Sequence, residues 1–105
     1  MSVMVTVNGR KVPAIIDCGA NVNYVNKTWS EEIGIKAKDY GEATVKAYSG
    51  REIKERLSIA SIKFSFKRKW MEHEFRVLKE TGSDKVVLGI PWLKKIRQSI
   101  GEKGR

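Results

Sequence analysis

Cysteine is nearly absent from the sequence, and long apolar runs do not occur in it. The single cysteine, Cys18, excludes a disulfide within the chain and agrees with a reducing compartment. No apolar run approaches the roughly 18 residues of a membrane helix. The first residues, Met1–Met4, lack the charged and apolar regions of a signal peptide. We therefore expect a soluble, intracellular protein without a membrane partner.

Acidic residues are few relative to basic ones. The 105 residues include 12 Asp and Glu against 21 Lys and Arg, which gives a formal net charge of +9. This balance is compatible with acidic partners but identifies none. Hydrophobic residues account for 41% of the chain, which is enough to build a core and too much for a disordered protein. The length allows one domain, residues 1–105, without a second core.

Alternating apolar residues predict two hairpins. Val3–Val7 and Val12–Ile16 are separated by an Asn-Gly pair, a preferred tight turn between antiparallel strands. The period-two pattern returns in Glu42–Ala47, and Tyr48–Arg51 supplies turn residues before Ile53. We expect the tip of this second hairpin to be exposed.

Four further strands follow from the same kind of pattern. We expect them near Tyr24–Val25, Leu57–Phe66, Met71–Val77 and Val86–Leu88. Within the second of these, the apolar residues change from one parity to the other. This change predicts a bulge or a bend near Ala60 and Ser61.

Two short helices complete the predicted elements. Asn26 or Thr28 can cap a helix around Trp29, and a second helix is expected at about Pro91–Arg97. The tail, about residues 101–105, is too polar and Gly-rich to be ordered. Six or seven short strands with one or two short helices predict a mainly β fold, as a small closed barrel or a sandwich.

One aspartate, Asp17, follows directly after a buried strand. The segment Ile15–Ala20 reads Ile-Ile-Asp-Cys-Gly-Ala, so its carboxylate emerges from a strand into a turn whose backbone amides can bind it. Taken alone, an Asp at a strand end is most simply a turn residue. A second segment, Val86–Gly89, repeats the form of aliphatic residues followed by Gly and precedes the helix that begins near Pro91.

Together these motifs resemble the retropepsin-like aspartic protease domain, most closely that of gypsy-class long-terminal-repeat retrotransposons and of host genes domesticated from them. Ile15–Ala20 is similar to the active-site turn of that family, and Ala47–Arg51 falls at the place of its flap hairpin. Asp84–Leu93 is similar to its late signature, which contains aliphatic residues, Gly and a Trp-Leu pair. The resemblance covers about Val3 to Ile96.

The resemblance implies an aspartic endopeptidase that is active as a homodimer and cleaves a retroelement polyprotein. Each chain would contribute Asp17, and the two carboxylates would meet over one water and share a proton. One carboxylate would act as general base on the water while the other protonates the carbonyl oxygen of an extended peptide substrate. The family implies no cofactor, and it implies a location in the cytoplasm or within virus-like particles.

The resemblance also assigns roles to individual residues. The catalytic residue is Asp17; the active-site turn is Cys18, Gly19 and Ala20; the flap and substrate-binding residues are Tyr48, Ser49, Gly50, Arg51 and Ile53; the structural loop near the active site is Val87, Leu88 and Gly89.

The sequence departs from the family pattern at two places. Cys18 stands where the family has Ser or Thr, whose hydroxyl donates a hydrogen bond across the dimer axis; a thiol is a weaker donor. The interface strand that commonly follows the last helix has only a short candidate here, Ile96–Ile100. These departures keep open a second hypothesis, a dimerisation or peptide-binding domain of the same fold with weak or no catalysis.

Other residues have simpler interpretations. His73 has no second ligand at a suitable spacing, so a half-buried strand residue is favoured and no metal site is predicted. The basic runs Lys67–Trp70 and Lys94–Arg97 have the outline of a nucleic-acid contact, but a solvated turn and a helix surface explain them equally well. A basic, nucleic-acid-binding barrel is therefore a third and less favoured hypothesis.

Overall fold

Six strands close into a barrel at the centre of the fold, and a seventh extends outside it. The computed structural model describes residues 1–46 and 49–103, with the side chains of all but residues 45 and 99–103. In chain order the elements are β1 (Ser2–Val7), β2 (Arg10–Ile16), β3 (Asn23–Asn26), α1 (Lys27–Glu32), β4 (Lys38–Lys46), β5 (Glu52–Phe66), β6 (Lys69–Leu78), β7 (Val86–Leu88) and α2 (Ile90–Lys103).

The strands follow the order β1-β2-β7-β3-β6-β5, and a pairing of Thr6 in β1 with Ser65 in β5 closes the ring. β4 adds to the other part of β5, outside the ring. The predicted small closed barrel with two short helices is therefore confirmed. Among the described residues, no helix is long and apolar enough to cross a membrane.

The first hairpin forms as predicted. Six consecutive residue pairs join β1 to β2, from Ser2 with Ile15 to Val7 with Arg10. The turn residues Asn8 and Gly9 have φ values of 49° and 77°. These are residue types that tolerate the left-handed region, so local sequence specifies the turn.

The core fills the barrel and one end of it. Its most deeply buried large side chains include Phe64, Phe75 and Leu88. Helix α2 lies at one end of the barrel, where its Trp92 packs edge-on against Phe66, with ring centroids 5.5 Å apart. Burial of aromatic surface of this kind is the main contribution that holds such a helix in place.

Helix α1 begins at the cap predicted for it. The side chain of Asn26, one of the two candidate caps, accepts a hydrogen bond from the backbone N–H of Trp29 at 2.9 Å. Trp29 is buried, and Gly34 at φ 82° allows the chain to turn away after the helix.

Of the bulge or bend predicted near Ala60 and Ser61, the structure shows no bulge in the pairing of β5 with β6. Pairing of β5 with β6 is unbroken from Ile59 to Phe66, whereas the register shift lies in β4, between Asp39 and Glu42. The change of parity in β5 has another cause. Ile53, Glu55 and Leu57 are half-buried in the outer hairpin, whereas Ala60, Ile62 and Phe64, which have the other parity, are buried in the barrel.

The C-terminal strand predicted at Ile96–Ile100 is wrong. These residues belong to α2, which continues to Lys103 and so enters the tail for which no order was predicted. Trp92, Leu93 and Ile96 recur at helical spacing and pack on the core, which explains the helix. Residues 104 and 105 lie outside the described residues.

Candidate active site

Asp17 lies where β2 leaves the barrel, in a loop fixed by backbone hydrogen bonds. Its N–H donates to the carbonyl of Leu88 at 3.0 Å, and its own carbonyl accepts the N–H of Ala20 at 3.1 Å. The N–H of Gly19 donates to Oδ1 of the Asp17 carboxylate at 2.9 Å. Oδ2 has no hydrogen bond to any described residue. The carboxylate is thus oriented through one oxygen and leaves the other available to water or substrate.

Gly89 holds this loop against β7. The N–H of the next residue, Ile90, donates to the carbonyl of Ala20 at 2.9 Å. A Cβ placed on Gly89 would lie 2.6 Å from the carbonyl oxygens of both Ala20 and Val22. The φ of Gly89 is not in the left-handed region, so close backbone approach is the reason that glycine is required here.

Asn23 connects the two segments from within. Its side chain is 1% exposed, and its Oδ1 accepts the N–H of Gly89 at 2.8 Å. Its Nδ2 lies 3.4 Å from the carbonyl of Glu74 in β6. Sequence reasoning missed this residue. The available signal was a polar amide at the start of a short buried strand, since buried polar groups of this kind need partners.

The structure therefore brings the Asp17 loop and the Val86–Gly89 segment together. Val87 and Leu88 are buried in β7, which runs parallel to β2 and pairs Ile16 with Leu88. In the turn itself, Ala20 is buried whereas Cys18 is exposed, with a free thiol.

The predicted flap is the hairpin of β4 and β5. Ser49, Gly50 and Arg51 lie exposed at its tip, and Gly50 has a φ of 92°. Ile53 is half-buried and pairs with β4. Tyr48, the remaining predicted flap residue, lies outside the described residues.

Two cavities formed by described residues adjoin this hairpin. A cavity of about 300 Å³ lies at the hairpin and is lined by Ser49, Arg51, Ile53, Glu55, Leu78, Lys79 and Glu80. A larger, charged cavity of about 520 Å³ adjoins the same hairpin through Lys54, Glu55 and Arg56. Neither is lined by Asp17.

Residues 3–95 match the model of the family described as "gag-polyprotein putative aspartyl protease". The chain belongs to this aspartyl protease family. A search of the curated proteins found no match.

Solved structures of retropepsin-like proteins share the fold. EIAV protease in complex with the inhibitor HBY-793 has a TM-score of 0.66 at 14% identity, with 96% of this chain and 88% of that chain covered. The retroviral protease-like domain of Ddi1 from Leishmania major has a TM-score of 0.64 at 19% identity, covering 90% and 71%. A retropepsin-like aspartic protease from Rickettsia conorii has a TM-score of 0.59 at 17% identity, covering 89% and 68%. The Ddi1 domain shows that the fold also occurs in proteins that are not retroviral.

The electrostatic environment of the aspartyl protease domain is uneven. Exposed Asp39 accepts a hydrogen bond from Arg56 at 2.8 Å, which holds the pKa of that carboxyl below its usual value. At Asp39 the charged form is favoured, whereas at His73 it is disfavoured. The imidazole of His73 lies 6.0 Å from the ring of Phe64. Burial, with a smaller contribution from the charge of Lys95, lowers the pKa of His73.

No described group of three or more His, Cys, Asp or Glu side chains is arranged to hold a metal ion. The Nε2 atom of His73 is buried and has no hydrogen-bond partner among the described residues. This places His73 as an inward-facing residue of β6, in agreement with the interpretation favoured from sequence.

Proposed function

We propose that this chain is an aspartic endopeptidase that acts as a homodimer, with Asp17 of each copy as the catalytic residue, on a retroelement polyprotein of the gypsy class. The observation that carries the proposal is the Asp17 carboxylate, held at Oδ1 by the N–H of Gly19 while Oδ2 has no hydrogen bond to any described residue. The family supports the reaction class.

Peptide hydrolysis by this route needs two carboxyl groups. One removes a proton from the attacking water, and the other gives a proton to the carbonyl oxygen of the peptide. The two segments that form the site, residues 17–22 and 86–90, contain no other Asp or Glu. A two-fold axis beside Asp17 would supply the missing carboxyl from a second copy.

The β4–β5 hairpin suits the role of a flap. Its exposed tip lies at the end of two strands that pair with each other from Lys46 and Glu52 to Lys38 and Ile59, and Gly50 at φ 92° permits a sharp turn there. An extended peptide under the tip would add its backbone to strand edges and place side chains in the neighbouring cavities.

The proposed activity is tested by digestion of an unfolded protein at mildly acid pH. Asp17→Asn should abolish cleavage and leave the circular dichroism spectrum unchanged, because the amide keeps the shape of the carboxylate but cannot exchange the required proton. Continued turnover by pure Asp17→Asn would contradict the proposed mechanism.

The proposed dimer is tested by mixing the wild type with Asp17→Asn. If each site needs two Asp17 side chains, an equal mixture after subunit exchange should retain about a quarter of the activity of the same total amount of wild type, because random pairing gives that share of intact dimers. Retention of about half would show that each wild-type chain acts alone.

A second candidate is a domain of the same fold that binds peptides or dimerises with weak or no catalysis. The exposed thiol of Cys18 and the helical conformation of Ile96 to Ile100 favour it, since the family's hydroxyl and interface strand are both replaced. Cys18→Thr separates the two candidates. Under reducing conditions, it should raise the activity of a weak enzyme and tighten the dimer by about 0.5–1.5 kcal/mol per restored hydrogen bond. No cleavage by either form, combined with peptide binding, would favour the second candidate.

A further inference from the structure

The turn between β5 and β6 places basic side chains beside an exposed tryptophan. Lys67, Arg68 and Lys69 are consecutive and exposed. The two ion pairs found among the described residues include none of them. Trp70 is 69% exposed, whereas the other two tryptophans are 7% and 3% exposed. Lys67 Nζ lies 5.5 Å from the centroid of the Phe66 ring. The indole of Trp70 is therefore a flat, solvent-exposed aromatic surface beside a run of basic side chains, a combination found where proteins bind bases and phosphates together.

The backbone of this turn is unfavourable for the residues that it carries. Lys67 and Arg68 have φ values of 51° and 66°. The turn between β1 and β2 has the same left-handed conformation, but there Asn8 and Gly9 occupy it. Lys and Arg lack the features that make Asn and Gly suitable at such positions. Local backbone preference therefore does not explain the basic pair, and a strained pair of this kind points to a function.

The outer face of the barrel extends the same surface. Trp70 lies directly across from Ser65, Ser65 from Thr6, and Thr6 from Lys11. Residues directly opposite on neighbouring strands share a face. Trp70 and Lys63 also line one shallow depression of about 440 Å³. The Trp70 face thus consists of the indole with basic residues on the same strands and in the adjoining turn: Lys11, Lys63, Lys67 and Arg68. Lys69 lies opposite Phe66 and belongs to the other face of β6.

We propose that the Trp70 face binds single-stranded nucleic acid. An unpaired base would stack on the exposed indole, and the basic side chains around it would contact the phosphates on either side. A duplex fits less well, because its bases are already stacked on one another. Glu72 lies beside Lys63 in the same depression and would repel phosphates, which confines the contact to the turn and to the β1–β2 side.

This inference does not rest on the proposed peptidase function, since the Trp70 face shares no residue with the Asp17 loop or with the flap. The positive charge of the whole chain, +9, would speed association with any polyanion. The test must therefore distinguish binding at the Trp70 face from non-specific attraction of nucleic acid to the positively charged chain.

The experiment measures the binding of a fluorescein-labelled 20-nucleotide oligothymidylate by anisotropy over a range of salt concentrations. The double variant Lys67→Asn/Arg68→Gly should weaken binding and reduce the slope of log K against log salt by about 1.4, at about 0.7 for each lost single-strand phosphate contact. Because this variant has the turn residues of the first hairpin, it should fold at least as well as the wild type.

A matched control removes the same charge elsewhere. Lys46→Asn/Lys54→Asn changes two exposed lysines on the β4–β5 hairpin. Lys54 and Lys67 are 13 residues apart along the chain, roughly 40 Å in an extended strand. Binding by this control should stay close to that of the wild type. Equal weakening by the two double variants would overturn the proposal in favour of non-specific attraction.

Stacking is tested at Trp70 itself. Trp70→Ala should weaken binding about 5- to 100-fold, and Trp70→Phe should recover part of the loss. Oligothymidylate should quench the fluorescence of the wild type but not that of Trp70→Phe, because the other two tryptophans are buried. A duplex of equal length that binds as tightly would overturn the stacking model. An unchanged affinity of Trp70→Ala for the oligothymidylate would also overturn it. If the wild type self-associates without nucleic acid and Trp70→Ala abolishes this association, the partner of the Trp70 face would be a second copy of the chain.

Discussion

Replacement of Gly89 by alanine tests whether the Asp17 loop depends on close backbone packing. The added methyl group would lie 2.6 Å from two carbonyl oxygens, those of Ala20 and Val22, and 3.1 Å from the Cβ of Ala20. Backbone atoms cannot rotate away as a flexible side chain can, so either the loop or β7 must shift. Such a shift would also stretch the buried hydrogen bond from Gly89 N–H to Asn23, now 2.8 Å.

The expected cost combines these two effects. Overpacking of a filled interior costs about 1–3 kcal/mol, and a buried polar group that loses its partner costs about 1–3 kcal/mol. The free energy of unfolding should therefore fall by about 2–6 kcal/mol, a large part of the 5–15 kcal/mol typical of a domain. Urea denaturation followed by circular dichroism, at one fixed protein concentration, measures this difference.

Gly19→Ala is the matched control for this prediction. A Cβ at Gly19 would meet only Oδ1 of Asp17, at 3.4 Å, which is an ordinary contact. Its φ lies outside the left-handed region, so alanine there should change the free energy of unfolding by no more than about 1 kcal/mol. If the two alanine variants were equally stable, the argument that close approach requires glycine at position 89 would be refuted.

Three further predictions concern stability and are measured by the same urea titrations. Asn23→Ala removes the acceptor of a buried N–H and should cost about 1–3 kcal/mol; a loss within error would mean that another group replaces it. Lys67→Asn/Arg68→Gly should raise the free energy of unfolding by about 1–2 kcal/mol by relieving two left-handed residues, and a decrease would contradict the strain. Burial lowers the pKa of His73 in the folded state. Its contribution to stability is therefore present above the unfolded pKa of about 6.5 and is lost as pH falls below it. The variant His73→Gln should lose less stability than the wild type between pH 8 and pH 5, and equal losses would exclude this role.

Local sequence predicts the hairpins and the Asp17 turn because short-range rules determine them. The Asn-Gly pair sets the first turn, and alternation sets which residues of β1 and β2 face the core. The aliphatic strand before Asp17 and the glycine after it are likewise adjacent in the chain. These features need no knowledge of distant contacts.

The errors lie where distant contacts decide. Which face of β5 is buried depends on whether that part of the strand lies in the outer hairpin or in the barrel, so parity alone suggested a bulge or a bend that the pairing of β5 with β6 does not require. The segment Ile96–Ile100 is helical because α2 packs on Phe66 and the core, which a pattern of five residues does not reveal. Asn23 and Gly89 are 66 residues apart in the sequence. Asn23 gains its role only because β3 pairs with β7 in the fold and brings the two residues together.

The contacts that hold the Asp17 loop have a consequence for assembly. Its backbone bonds to Leu88, the bond from Ile90 to Ala20 and the buried Asn23 amide all lie within one chain. The position of the carboxylate is therefore set before any second copy binds. In the proposed dimer, association would join two formed half-sites and would not have to order either loop, which removes one entropic cost of binding. The stability of such a dimer would then depend on the contacts made at the axis itself, where the exposed Cys18 follows Asp17 in the chain.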